Sequence, residues 1–230
     1  MTSATSQPRP AAPAWKVWVA LWIVYIVWGS TYLAIRVTVE TLPPLFSAGV
    51  RFIVAGMIVY TVLLARRGRD GVRVSRPELL ATAIVGALLF LGANGMVAIA
   101  ELDVPSSLAA LIISSVPLWV ILLRSLSGDR VDAGTLVGVA IGFTGVGILV
   151  LPGNRPDGAT LVGVVLLVIA SVSWALGSFL STRLEMPGDL MVSSAYQMIG
   201  GGIALIFAGF LRGEASGFDS ADWSTGSLVA

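Results

Sequence analysis

The 230 residues are 56% hydrophobic and 12% charged, with a mean hydropathy of +0.91 and a net charge of +1, against about 25% charged residues in an ordinary soluble domain. Water is therefore not the main solvent of this chain. Cysteine and histidine are both absent, which excludes disulfides, thiol nucleophiles, zinc sites built from those ligands and imidazole proton shuttles; no basic excess points to a nucleic-acid partner.

Residues 1–16 begin with a Pro-, Ala- and Ser-rich stretch that cannot bury enough apolar surface to fold, and are read as a loose cytoplasmic tail. A cleavable leader is the competing reading, but the apolar run after Lys16 is longer than a leader's core and lacks a small-x-small cleavage site. Uncharged runs then cover 17–35, 79–100, 104–123, 133–151, 159–182 and 190–211, and a further run, 42–65, is interrupted only by Arg51. Each is about long enough, at ~1.5 Å per residue, to cross ~30 Å of hydrocarbon. The expectation is an all-α integral membrane protein with seven full spans, and residues 223–230 open an eighth. Helices are expected because the runs are continuously apolar rather than alternating.

Local signals place several ends. Ser75 before Arg76-Pro77-Glu78 predicts a capped start to the third span, and Asp103-Val104-Pro105 predicts a similar start to the fourth. Pro117 lies within the fourth span and predicts a kink beside Ser114 and Ser115, whose hydroxyls stand ready to satisfy the carbonyl of Ile113; a hinge and a merely tolerated proline both remain open. The fifth span carries Gly138, Gly142, Gly145 and Gly147. A phosphate loop would follow a strand and open a soluble helix, so these glycines are read as a helix-packing face.

Orientation follows from Lys and Arg in the connections. With the N-terminus inside, ten of the 14 lie on the cytoplasmic side and three on the other, with Arg51 within a span, which predicts a cytoplasmic N-terminus in the plasma (inner) membrane. The chain also repeats itself. At an offset of 146, Trp28 falls on Trp174, Arg51 on Gln197, Gly56 on Gly202 and Arg66 on Arg212. Five crossings separate equivalent positions, so the copies run in opposite directions through the bilayer, as an inverted repeat. The first copy is placed at 17–151 and the second, incomplete, at 159–230, so the sequence reads as a fragment.

The segments Trp28-Gly29-Ser30-Thr31-Tyr32, Arg51-Phe52, Ser114-Ser115-Val116-Pro117-Leu118, the run from Gly138 to Val146 and the recurring Ser173-Trp174-Ala175 together resemble the EamA-type branch of the drug/metabolite transporter superfamily. That resemblance implies ten helices in two inverted five-helix repeats around a central cavity, and export of amino acids, related metabolites or drugs. Trp28 and Tyr32, on one face with Tyr25, Gly29 and Arg36, are candidates for lining such a cavity, with Trp174 as the repeat counterpart; helix packing is the alternative. Trp15, Trp18 and Trp22 read as interfacial anchors. Arg51 is a functional hypothesis by default, either binding a substrate carboxylate or reaching outward to Glu40 or Glu101. Gln197, Asn94 and Ser114 are candidates for a polar wall, with Ser47 and Ser193 beside Arg51 and Gln197.

The reading is thus a secondary transporter of small organic solutes in a lipid bilayer, with no catalytic residue, metal or cofactor, and with a homodimer left open. Any proton-coupling carboxylate within the chain would be Glu40 or Glu101. A membrane scaffold and an intramembrane enzyme are the alternatives; the second is disfavoured because no Cys, His or span-embedded carboxylate exists to build an acid/base or nucleophilic pair.

Overall fold

The computed structural model describes residues 13–151, 159–214, 224 and 227. Most of the expected loose tail, the connection at 152–158 and nearly all of the expected eighth span lie outside the described residues. Within them seven helices are long and apolar enough to span a membrane: α1 (Ala14–Val39), α2 (Pro44–Arg67), α3 (Arg76–Ala100), α4 (Ser106–Leu126), α5 (Ala133–Val150), α6 (Leu161–Ser181) and α7 (Leu190–Arg212). The protein is a multi-pass, all-helical membrane protein.

The helix starts follow capping chemistry. Ser75 and Glu78 form a reciprocal capping box at α3, the hydroxyl accepting from the Glu78 N–H and the carboxylate from the Ser75 N–H. Asp132, Thr160 and Asp189 cap α5, α6 and α7. At α4 the expectation fails: the helix opens after Pro105 with no side-chain cap, and Asp103 instead offers its backbone carbonyl to the Thr160 N–H at 3.4 Å. α2 opens on Pro44, which needs no donor there. Its next two N–H groups, those of Leu45 and Phe46, donate to the Glu214 carboxylate at 3.0 and 3.1 Å, so the residue just past α7 caps α2.

Two spans are interrupted. α4 breaks at Ser114–Ser115 into Ser106–Ile113 and Val116–Leu126, one residue ahead of the turn that carries Pro117. The serine hydroxyls donate to Leu111 and Ile112 carbonyls at 2.6 Å, rather than to Ile113, because a side chain within a turn reaches back three residues. α3 changes pitch: its middle, Ala87–Gly95, is π-helical. The widened turns leave carbonyls in need of donors. Asn94 Nδ2 donates to Leu89 O at 2.8 Å, and Ser173 Oγ, from α6, donates to Leu88 O at 3.0 Å.

The tightest seam joins α2 and α7, which run antiparallel because Gly49 meets Gly202 while Gly56 meets Ala195. A Cβ added to Gly56 would stand 2.9 Å from Ile199 Cγ1 and 3.1 Å from the Ala195 carbonyl. One added to Gly202 would stand 2.7 Å from Ile53 Cγ1 and 2.9 Å from the Gly49 carbonyl. At the offset of 146, Gly56 corresponds to Gly202, Ile53 to Ile199 and Gly49 to Ala195, so each contact occurs twice with its partners exchanged. Such close backbone approach supplies dispersion contact where lipid offers no hydrophobic driving force.

α3 packs against α6 and α7 through small residues, with Gly86 on the Gln197 backbone and Gly201 on the Gly86 carbonyl and Phe90. A larger apolar cluster gathers α1, α3, α4 and α6 around Tyr32, Ile35, Val97, Leu108, Ile112 and Leu167. α5 leans mainly on α4: Trp119 meets Phe143 edge to face at 4.6 Å, and Gly142 faces Leu118. The packing role expected of the glycine run is confined to Gly142, since Gly138, Gly145 and Gly147 face open space among the described residues.

Connections sort to opposite ends. Arg67–Asp189, Arg124–Asp129 and Arg183–Asp129 ion pairs tie the 68–75, 127–132 and 182–189 end. The other end is tied by the Glu214 cap and by Arg36, which donates to the backbone carbonyls of Glu101 and Leu102.

Candidate functional site

Trp28 of α1 and Trp174 of α6 stack with centroids 5.4 Å apart and planes 28° from parallel. Trp28 is 51% exposed, so the pair presents one aromatic face outward while Trp174 rests on the apolar cluster that contains Tyr32. Tyr32 is buried, one turn from Trp28 on the same helix face. These three predicted residues come together.

Arg51 lies elsewhere. It borders a cavity of about 310 Å³ between the C-terminal part of α1 and the N-terminal part of α2, lined also by Ile35, Thr38, Val39, Ser47 and Ala98. Its guanidinium sits 5.1 Å over the Phe52 ring, a cation–π contact worth roughly 0.5–1 kcal/mol at an exposed site. It pairs with neither Glu40 nor Glu101: the aromatic face of its own helix neighbour holds it. The cavity joins a cation and three hydroxyl side chains, those of Thr38, Ser47 and Ser227, to an apolar wall, a lining suited to an organic group with one anionic or polar end.

The remaining predicted residues do not join this cavity. Gln197 Nε2 donates to Ser193 Oγ at 2.8 Å, with its backbone against Gly86 of α3. Asn94 is committed to the π segment and Ser114 to Leu111. Sequence reasoning missed the Ser173–Leu88 bond and the Glu214 cap, though Ser173 stood in a repeated triplet. Glu101, in the turn between α3 and α4 and outside both spans, is wholly buried, with no hydrogen-bond partner for either carboxylate oxygen among the described residues. Burial pushes its carboxyl up to about 8, the Arg36 guanidinium pulling the other way.

The all-helical, multi-pass architecture places a polar-ended cavity between apolar helices of membrane-spanning length. Residues 15–151 match the EamA-like transporter family, and the chain belongs to that family. It is 40% identical over 196 residues to the "Uncharacterized inner membrane transporter YedA" of Escherichia coli (strain K12), covering 85% of this chain and 62% of the relative. The "Uncharacterized transporter YoaV" of Bacillus subtilis (strain 168) is 22% identical over 211 residues, 91% of this chain and 70% of the relative. The "Probable amino-acid metabolite efflux pump" of Escherichia coli (strain K12) is 24% identical over 173 residues, 70% of this chain and 52% of the relative. The chain thus spans about 62% of the length of YedA.

Proposed function

We propose that this protein exports small organic metabolites, amino acids or related carboxylate-bearing compounds, across the inner membrane by alternating access, without covalent chemistry. Its N-terminus lies in the cytoplasm, and its repeats, 17–151 and 159–230, are inverted copies that rock against one another. The observation that carries this reading is the α2–α7 seam: contacts that recur with their partners exchanged at an offset of 146 are what a two-fold axis in the membrane plane generates. Trp28 and Trp174, equivalent at the same offset and stacked on each other, support placing that axis beside the aromatic pair. Trp28, Tyr32 and Trp174 form the apolar floor of the substrate path, and Arg51 receives the substrate carboxylate near its outer end. The likeness to a probable amino-acid metabolite efflux pump, at 24% identity, favours amino-acid metabolites over neutral drugs. Radiolabelled amino-acid flux in proteoliposomes tests the reading. Substrate-saturable flux that Trp28→Ala weakens is the expected result; liposomes no leakier to any solute than protein-free controls would reject it in favour of a scaffold.

A further inference from the structure

Glu101 is a carboxylate in a place where a carboxylate's charge is costly. It has no exposed surface and, among the described residues, no hydrogen-bond partner for either oxygen, flanked by Ala100 and Val104, both about 1% exposed. Arg36 reaches the same turn but spends its NH1 group on the backbone carbonyls of Glu101 and Leu102 and makes no ion pair with the side chain. Other charges do not compensate. α1 brings Tyr32 and Arg36, with Glu40 at its exposed end; α6 and the first turn of α4 bring no titratable group; the turn itself adds Asp103; and Arg51 of α2 borders the cavity beside Ala98. A buried, unpaired carboxylate is kept neutral by its surroundings.

The seam around Glu101 is also where α1 is most deeply buried among the described residues. Residues 15–30 of α1 are exposed along their whole length, whereas Tyr32, Ile35 and Val39 are buried against α3, α4 and α6. Parting α1 from the α3–α4 turn would break the Arg36 bonds, open the Arg51 cavity and bring water to Glu101.

We propose that Glu101 is a proton site that locks this end of the bundle: protonated, it holds α1 against the α3–α4 turn, and loss of its proton to the adjoining water drives the two apart. The inference rests on the alternating-access reading for its role in transport, where the pH on that side sets how often the cavity opens. The chemistry is a single proton transfer between a carboxyl and water. Opening returns Glu101 from its buried value of about 8 toward the ordinary 4.5, so each opening releases up to one proton between those values, and the open fraction grows by up to tenfold per pH unit there.

The test is amide hydrogen exchange of the full chain in lipid nanodiscs. Protection factors, corrected for intrinsic pH dependence, are read for peptides spanning Glu101 to Val104, alongside the infrared band of protonated carboxylic acids. The expected result is protection that falls up to about tenfold per pH unit between 4.5 and 8, together with a carboxylic-acid band; the Glu101→Gln variant shows a flat profile and lacks that band. Equal slopes in the two proteins, or a band that survives the substitution, overturns the proposal. Should Glu101→Gln fail to fold, Arg36→Gln replaces it: removing the opposing cation moves the transition to higher pH, and an unmoved transition overturns the proposal. Flux assayed in parallel separates the two readings, since a lost slope with flux intact rejects the lock alone, and absent flux with the slope intact rejects transport alone.

Discussion

Trp28 and Trp174 stand 146 residues apart and stack ring on ring at 5.4 Å, so the most exposed aromatic of α1's C-terminal half is held by its own counterpart in the chain. The natural absence of cysteine makes this testable. Trp28→Cys combined with Trp174→Cys should be bridged by a short bifunctional thiol reagent, and substrate that sits on the pair should slow the reaction. Efficient cross-linking with no substrate effect would move the binding path away from the tryptophans.

The α2–α7 seam predicts paired sensitivity. Gly56→Ala and Gly202→Ala each press a methyl against an isoleucine and a backbone carbonyl of the facing helix, and each should cost about 1–3 kcal/mol as overpacking. Gly138→Ala, which meets nothing within 4 Å, should be neutral. Thermal unfolding in detergent checks all three, and a harmless change at one glycine beside a damaging one at the other would break the exchange relationship.

Arg51→Gln copies the residue at the equivalent position and removes the one charge bordering the cavity among the described residues. Transport of anionic and zwitterionic substrates should fall at least about tenfold, the loss of one charge-assisted contact, while cationic ones are spared. A uniform loss with lower Tm would make Arg51 a structural anchor over Phe52.

Single cysteines report sidedness. Those at Ser127 and Gly188, beside the ion-paired loops, should react only with reagents admitted to the cytoplasm, and one at Glu40 only from outside. Reversal at all three would invert the topology.

Stability should respond to pH with opposite signs at the two ends. Asp129 and Asp189 are held below the ordinary carboxylate value of 3.8, chiefly by hydrogen bonds from Arg183 and Arg67; their contribution is present above that value and is lost as pH falls through their folded values. Glu101, raised from 4.5 to about 8, binds its proton more tightly when folded, so its effect is a loss of stability as pH climbs between those values, by up to about 1.4 kcal/mol per unit. Denaturation midpoints of the wild type and Glu101→Gln should diverge only over that interval.

Seven spans were legible because hydropathy alone sets their lengths: the run 190–211 became Leu190–Arg212, and 133–151 became Ala133–Val150. Ser75 and Glu78 were legible for a related reason, since a capping box is closed by residues three apart. Inside an apolar run the sequence carries little contrast, and choices there are made by a third helix. The π segment of α3 depends on Ser173 of α6, and Arg51 turned to Phe52 where distance also allowed two carboxylates. Gln197, expected to share a polar wall with Arg51, was drawn into α7's own bonding once Gly86 let α3 close on its backbone.

The doubled seam also binds the two halves as sequences. Ile53 sits over Gly202 as Ile199 sits over Gly56, so a bulkier residue acquired by α2 at 53 can be relieved only by a change in α7, and the reverse holds at 199. Neither copy can drift alone. Substitution maps of the two halves should therefore rise and fall together at a lag of 146 along this seam, and fall out of step along residues 15–27 of α1, which are exposed.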